Sequence, residues 1–303
     1  MTQLFNYIIP IFNKEDVLPH TLQGIDRCAS REACIYTIID GCTDKSEQVV
    51  DEFIARTRRN VVKIHMPNVH MLRSVNAALS RVQKGFTVVT QDDIILEDPD
   101  MEAKICQLYE RMGERLGVIS MRLAANVAPT SLKGRLQMRT LRPMITEVDF
   151  IKNRNDSQPY ITATDESFYP RMGAINGPNV IPWSVRRAIG IFDETLAPYG
   201  YDDPEYGLRA MKCGFINGLF PLRYRSDEEW GGTRRNKKFA VQARRIHCRN
   251  RQYIWCKHKE YIEWLWRTGR VYRETTAVSS LAEIPNCEEG AACSHSATVE
   301  TKP

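Results

Sequence analysis

Apolar residues in the first part of the chain switch between two periods. Leu4 to Phe12 is an almost unbroken apolar run, as expected of a strand buried on both faces, and Val17, Leu18, Leu22 and Ile25 then recur at helical spacing. Cys34 to Asp40 returns to a β-branched run, so the three segments predict a βαβ unit with parallel strands. Asp44 followed three positions later by Glu47 predicts a capping box, opening a helix through Val49, Val50 and Phe53. Val61 to Ile64, Leu72 to Val82 and Phe86 to Thr90 continue as strand, helix and strand. The run stops at Gln91-Asp92-Asp93, because paired charges do not continue a buried strand. Ala125 to Pro170 mixes Pro, Asn, Asp and Arg without a period and predicts loops or an inserted segment. Order returns at Asn176 to Ser184, and Pro204 predicts the opening of another helix. The tail, Ala277 to Pro303, is small, polar and acidic, a composition that predicts disorder.

Composition narrows the function classes. With 303 residues, 43% apolar and 26% charged, the chain is ordinary globular material. It lacks the ~20 consecutive apolar residues of a membrane span, and Met1 to Pro10 lacks a secretory pattern, so a cytoplasmic protein is expected. Nine cysteines without a CxxC pair are read as free thiols. The net charge of +5 is unevenly spread: Leu222 to Arg273 holds fifteen Lys or Arg against five Asp or Glu. Such a segment favours an anionic partner, whether a diphosphate, an acidic membrane surface at which the protein would sit peripherally, or nucleic acid. Tyr253, Trp255, Tyr261, Trp264 and Trp266 interleave with these cations. They fit a stacking surface, or an amphipathic helix packed on the main domain; the second reading is preferred and nucleic acid disfavoured.

Ligands of an open parallel sheet bind beyond the carboxyl ends of its strands. Here Pro10, Asn13 and Glu15 follow the first strand, Asp40 and Asp44 the second, and Asp92 and Asp93 the fourth. That acidic crevice would repel a bare phosphate unless Mg²⁺ or Mn²⁺ mediated, each commonly held by one or two carboxylates with substrate phosphates. Each residue also has a plainer reading: Asp44 as a helix cap, Glu15 as a first-turn acid, Asp92 as a strand end facing water. GxGxxG and GxxxxGK[ST] are both missing, which disfavours a dinucleotide fold and a P-loop.

The run Ile8 to Glu15, then Ile39-Asp40-Gly41-Cys42-Thr43-Asp44, then Asn68, Arg73 and Asn76, then Gln91-Asp92-Asp93, and finally Ile189 to Glu194 with Asp202-Asp203, resembles the family 2 glycosyltransferases of the GT-A fold. The likeness covers Leu4 to Phe215, with Gln91 standing where the family's first metal-motif Asp stands and Val69-His70 replacing a glycine neighbourhood. It implies an α/β fold with a mostly parallel sheet and a nucleotide-sugar donor, with UDP as the expected diphosphate. Pro10, Asn13, Glu15, Asp40, Arg73 and Asp92 would line the nucleotide pocket, Asp40 accepting from the uracil imide. Asp93, helped by Asp92, would bind Mn²⁺ or Mg²⁺. Asp203 would be the base that deprotonates an acceptor hydroxyl, with Asp202 beside it, in an inverting displacement. Asp203 before Pro204 also reads as a helix N-cap. Trp230 to Arg235 reads as a Gly-hinged lid, and His247 or His258 as a late metal ligand. The expected division is a catalytic domain 1–222 (nucleotide half 1–121, acceptor half 122–222), a basic Trp-rich extension 223–276 and a tail 277–303. A nucleotidyltransferase would need a Gly-rich basic loop after the first strand, which is missing; a non-catalytic nucleotide-sugar or nucleic-acid binder on the same scaffold is the alternative.

Overall fold

The computed structural model describes residues 3–127, 145–147, 151–152, 161–162, 167–175, 177–227, 230, 237–268, 270, 278 and 283–284. The alternation read from the sequence is present as β1 (Phe5–Ile11), α1 (Leu18–Cys28), β2 (Cys34–Asp40), α2 (Ser46–Arg56), β3 (Asn60–Met66), α3 (His70–Leu79) and β4 (Phe86–Val89). Every residue of β1 and β2 is buried, as helices on both faces of a parallel sheet require. Phe5, Tyr7, Ile9 and Ile11 point to the core that takes Leu18, Leu22 and Ile25 of α1, while Ile8 points to the core that takes Leu72, Val75 and Leu79 of α3. The period of two in the strand and of 3.6 in each helix thus meet on opposite faces.

Beyond β4 come β5 (Ile95–Leu96), α4 (Met101–Met112), β6 (Leu116–Ser120), β7 (Leu123–Ala125), β8 (Ile145–Glu147), β9 (Ile151–Lys152), β10 (Ile161–Thr162), β11 (Tyr169–Pro170), β12 (Gly173–Ile175), β13 (Asn179–Pro182), α5 (Trp183–Ile189), α6 (Asp202–Lys212), β14 (Ile216–Leu219), β15 (Tyr224–Asp227) and α7 (Lys237–Arg267). The main sheet has the order β11-β14-β6-β13-β4-β1-β2-β3 and is parallel except for β11 and β13. The central sheet therefore continues across residue 121, where the expected halves were divided: β13 lies between β4 and β6.

Three local expectations change and one holds. Part of the stretch 125–170 forms a second sheet, β10-β8-β7-β12, whose strands of two or three residues are too short to show a period of two. The capping box at α2 does not close, because Glu47 reaches Lys63 at 3.0 Å and His65 at 2.7 Å on β3. In the tail, Val278 and Ile284 are buried against the core, and Val278 bridges to Phe168; the rest of 277–303 except Glu283 lies outside the described residues. The cysteines described are free thiols.

Candidate active site

Strand geometry fixes the acidic pair. The amide of Thr90 donates to the Ile8 carbonyl at 3.0 Å, so even-numbered residues of β1 turn their polar backbone toward β4. β4 ends opposite Ile8, leaving Pro10 beyond the ladder, where a missing N–H goes unnoticed. The next such amide, Phe12, donates to Asp92 Oδ2 at 2.9 Å. Asp92 therefore ends the strand by capping its neighbour, not by facing water. Thr21 Oγ1 donates to the Asp92 carbonyl at 3.1 Å and Ser226 Oγ, on β15, to the Asp93 carbonyl at 3.2 Å. Lys14 Nζ lies 3.4 Å from Asp93 Oδ2 and also donates to the Trp230 carbonyl. Burial, then the neighbouring Asp93 charge, push the Asp92 carboxyl up to about 7 despite Lys14 and the Phe12 amide.

The loops after β1, β2 and β3 are stapled to one another. Asn13 Oδ1 accepts from the Thr43 amide at 2.8 Å, Glu15 Oε2 from the Lys45 amide at 2.8 Å, and Asp44 Oδ2 from the Glu15 amide at 3.0 Å. Asp44 Oδ1 also takes the Ser46 amide at 2.9 Å, so it both caps and cross-links. Asp40, 3% exposed, accepts the Val69 amide on Oδ1 at 2.7 Å, while Oδ2 has no protein partner among the described residues. The loops after β2 and β3 touch so closely that a Cβ on Gly41, at φ +69°, would fall 2.7 Å from the Asn68 Cβ.

Arg73 pairs with Glu194. It shares a face of α3 with Asn76, three residues on, and that face is turned to the loop after α5. Asn76 exchanges hydrogen bonds with Phe192 at 2.9 and 3.0 Å, and Arg73 lies 3.6 Å from Glu194. The cation at the acidic pair is Lys14, which the sequence did not single out.

The second pair of carboxylates opens α6. Asp203 Oδ1 accepts from Asn179 Nδ2 at 3.1 Å, and Asn179 pairs with Val89, the last residue of β4. Asp203 is thereby tied through β13 to the strand end that carries Asp92 and Asp93. Asp202 Oδ1 accepts the Gly200 amide at 2.7 Å; burial raises its pKa, with that amide and His247 opposing. The loop before this pair rests on α7. Asn250 Nδ2 faces the carbonyls of Leu196, Tyr199 and Gly200 at 2.8, 3.1 and 2.7 Å, and Arg249 donates to that of Ala197 at 2.6 Å. Gly200, at φ +92°, admits the His247 ring where a Cβ would lie 2.5 Å away.

A buried ion cluster anchors the same helix. Glu205, fully buried, meets Arg209 at 2.9 Å, Lys257 at 2.8 Å and His258 at 3.2 Å. Asp193 accepts from Lys257 at 2.6 Å and Tyr253 at 2.7 Å. Burial alone would raise the Glu205 carboxyl, but His258, Arg209 and Lys257 outweigh it and bring the pKa down to about 2. Asp193 is likewise held well below the usual range, its bonds to Lys257 and Tyr253 overcoming burial. His258 is lowered by burial and stays neutral, donating to Glu205. The two histidines thus serve packing, and among the described residues no group of three His, Cys, Asp or Glu could hold a metal. The aromatics of α7 pack against the main domain, Trp266 donating to the Val127 carbonyl at 2.8 Å, as the amphipathic-helix reading expects. Of the Trp230 to Arg235 lid, only Trp230 lies within the described residues.

Residues 7–170 match the model of glycosyl transferase family 2. The chain belongs to that family. Its fold is GT-A, and it is similar to the crystal structure of residues 1–349 of TarS from S. aureus, with 12% identity, a TM-score of 0.51, 74% of this chain covered and 60% of that one. The same region of TarS in complex with UDP-GlcNAc gives 13% identity and a TM-score of 0.52, covering 80% and 65%; that bound to UDP gives 13%, 0.51, 74% and 60%. The chain thus spans about three fifths of the TarS chain with which it aligns. Curated protein sequences contain no match. The matched region ends before α6 and α7, so Asp203, Asn250 and Glu205 lie outside it.

Proposed function

We propose that this glycosyltransferase moves a sugar from a UDP-sugar to an acceptor hydroxyl, inverting the anomeric carbon, with Mn²⁺ or Mg²⁺ held by Asp93 and Asp92. One observation carries the reading: Asn179 ties Asp203 to the end of β4, where the acidic pair stands, so a base and a diphosphate-side cation site share one strand end. The TarS complexes with UDP and UDP-GlcNAc support the choice of donor class.

The residues present fit the cation. Two adjacent carboxylates face only Lys14 as a cation among the described residues, and two are what Mg²⁺ or Mn²⁺ uses when phosphates and water complete its shell. A bound divalent ion would act as a Lewis acid on the departing diphosphate. Asp40 Oδ2 would accept the uracil imide N–H. Asn13, Glu15 and Asp44 would hold their loops rigid around the base and ribose, so little ordering is left for donor binding. Asp203 would take the proton of the acceptor hydroxyl as its oxygen bonds the anomeric carbon. The bond from that carbon to the β-phosphate oxygen breaks, and UDP leaves. Asp202, whose Oδ1 is committed to the Gly200 amide, shapes the acceptor side.

The test is a thermal-shift panel of UDP, GDP, CDP and TDP with and without Mn²⁺, on wild type and Asp93→Asn. Saturation at ~100 times the dissociation constant stabilises by ~2.7 kcal/mol, a rise of roughly 5 °C. A shift confined to UDP, needing Mn²⁺ and Asp93, is the expected result. No shift with any nucleotide would sink the donor reading.

A further inference from the structure

The outer side of α7 takes no part in any of this. From Lys237 to Lys259 the chain carries eight Lys or Arg and no Asp or Glu. The inward side of the helix is spent on the body of the protein: Asn250 and Arg249 on the loop before α6, Ile254, Ile262 and Leu265 in the core, Lys257 on Asp193 and Glu205. Val241, Arg244, Arg245, Cys248, Arg251 and Lys259 remain exposed and recur at intervals that keep them on one side. Among the described residues, the four cations in this set have no hydrogen-bond or ion-pair partner. Val241, 60% exposed, is the most exposed of the large apolar side chains described. Within this 31-residue helix the stripe runs from Val241 to Lys259, about 27 Å, which suits an extended anionic surface.

We propose that this stripe docks the enzyme on an anionic lipid surface. Charge complementarity calls for an anionic partner; the apolar Val241 within the stripe favours lipid, since a soluble polyanion gains nothing from it, whereas a bilayer interface accepts it between headgroups. Among the described residues no helix is long and apolar enough to cross a membrane, so the contact is peripheral and salt-sensitive. Docking in this way holds the Leu196 to Gly200 loop, on the opposite side of α7, about one helix diameter, ~10 Å, from the headgroups. The inference stands apart from the donor reading and needs no catalytic assay.

The experiment is co-sedimentation of the full chain with phosphatidylcholine vesicles containing or lacking phosphatidylglycerol. Wild type should pellet with the anionic vesicles at low salt, remain in solution with neutral ones, and be released as salt shortens the screening length from ~14 Å at ~0.05 M to ~4 Å at ~0.5 M. Each cation near such a surface contributes about fivefold in partition, so the triple variant Arg244→Glu, Arg245→Glu, Arg251→Glu should bind at least 100-fold more weakly. Its circular dichroism and melting point should match wild type, since the three side chains are exposed and have no partner among the described residues. Val241→Ser should weaken vesicle binding several-fold while leaving binding to inorganic polyphosphate unchanged. Failure of wild type to pellet at low salt, equal pelleting of the triple variant, or polyphosphate binding that outcompetes vesicles would each overturn the proposal; the last would assign the stripe to a soluble polyanion.

Discussion

The two ends of the candidate site are held rigid by different means. On the donor side, loops that follow three neighbouring strands brace one another through Asn13–Thr43, Glu15–Lys45, Glu15–Asp44 and Asp40–Val69 bonds, all between segments about thirty residues apart. On the acceptor side, the loop carrying Asp202 has little internal bracing and leans on Asn250, some fifty residues downstream. The proposed donor side is thus braced within the βαβ units themselves, by side chains on the loops that end neighbouring strands. The acceptor side depends on a separate helix and can vary without disturbing the sheet.

That contrast can be broken one residue at a time. The largest effect expected is on Asp203→Asn, which should slow UDP release from donor turnover by ~10²- to 10⁴-fold and leave the UDP thermal shift intact. A matching loss of UDP binding would show that the two ends are not separable. Glu205→Ala leaves Arg209, Lys257 and His258 around an empty, buried position, and should cost about 3–5 kcal/mol in urea unfolding, with α7 released. Asn250→Ala, at a buried side chain, strips the donor from the carbonyls of Leu196, Tyr199 and Gly200 and should cost about 1–3 kcal/mol; a fall in turnover beyond that in UDP affinity would mark α7 as part of the catalytic unit.

Acid should loosen the same contact. Glu205 and Asp193 have depressed pKa values, so their stabilisation is fully present above the unfolded carboxylate range and is lost as pH falls toward the folded values, about 2 for Glu205. His258 is depressed too, so its penalty for protonation begins once pH drops below its unfolded value near 6.5. Urea midpoints measured downward from pH 7.5 should therefore decline from about pH 6.5, and His258→Gln should flatten the first part of that decline. The smallest effect belongs to Arg73→Ala. Its half-exposed pair with Glu194 is worth about 0–1 kcal/mol, and UDP binding should not change.

The same contrast explains what was legible in the sequence. β1 to β4 and their helices announce themselves because each buries a periodic face, and Asp92-Asp93 stands out because charge interrupts such a run. Lys14 carries no local signal: a lysine after a strand looks like any solvated turn residue until Asp93 is placed beside it. Asn179 and Asn250 act across long separations in the chain, and a lone asparagine gives no period to read. The neighbourhood of Arg73 in sequence suggests the diphosphate, while its partner in the structure, Glu194 beside Asn76, gives no sequence signal of its own. The short strands between 123 and 175 escaped notice because two or three residues cannot display alternation.

The insertion of β13 between β4 and β6 bears on how the molecule is made. A ribosome delivers the chain from its amino end, and until residue 182 has emerged the inner edge of β4, Phe86 to Val89, has no partner. A nascent or truncated chain ending near residue 121 would expose an apolar, ready-to-pair strand edge, which invites association with other chains. Fragments meant to isolate the donor half should therefore extend through Pro182, and shorter ones are expected to aggregate.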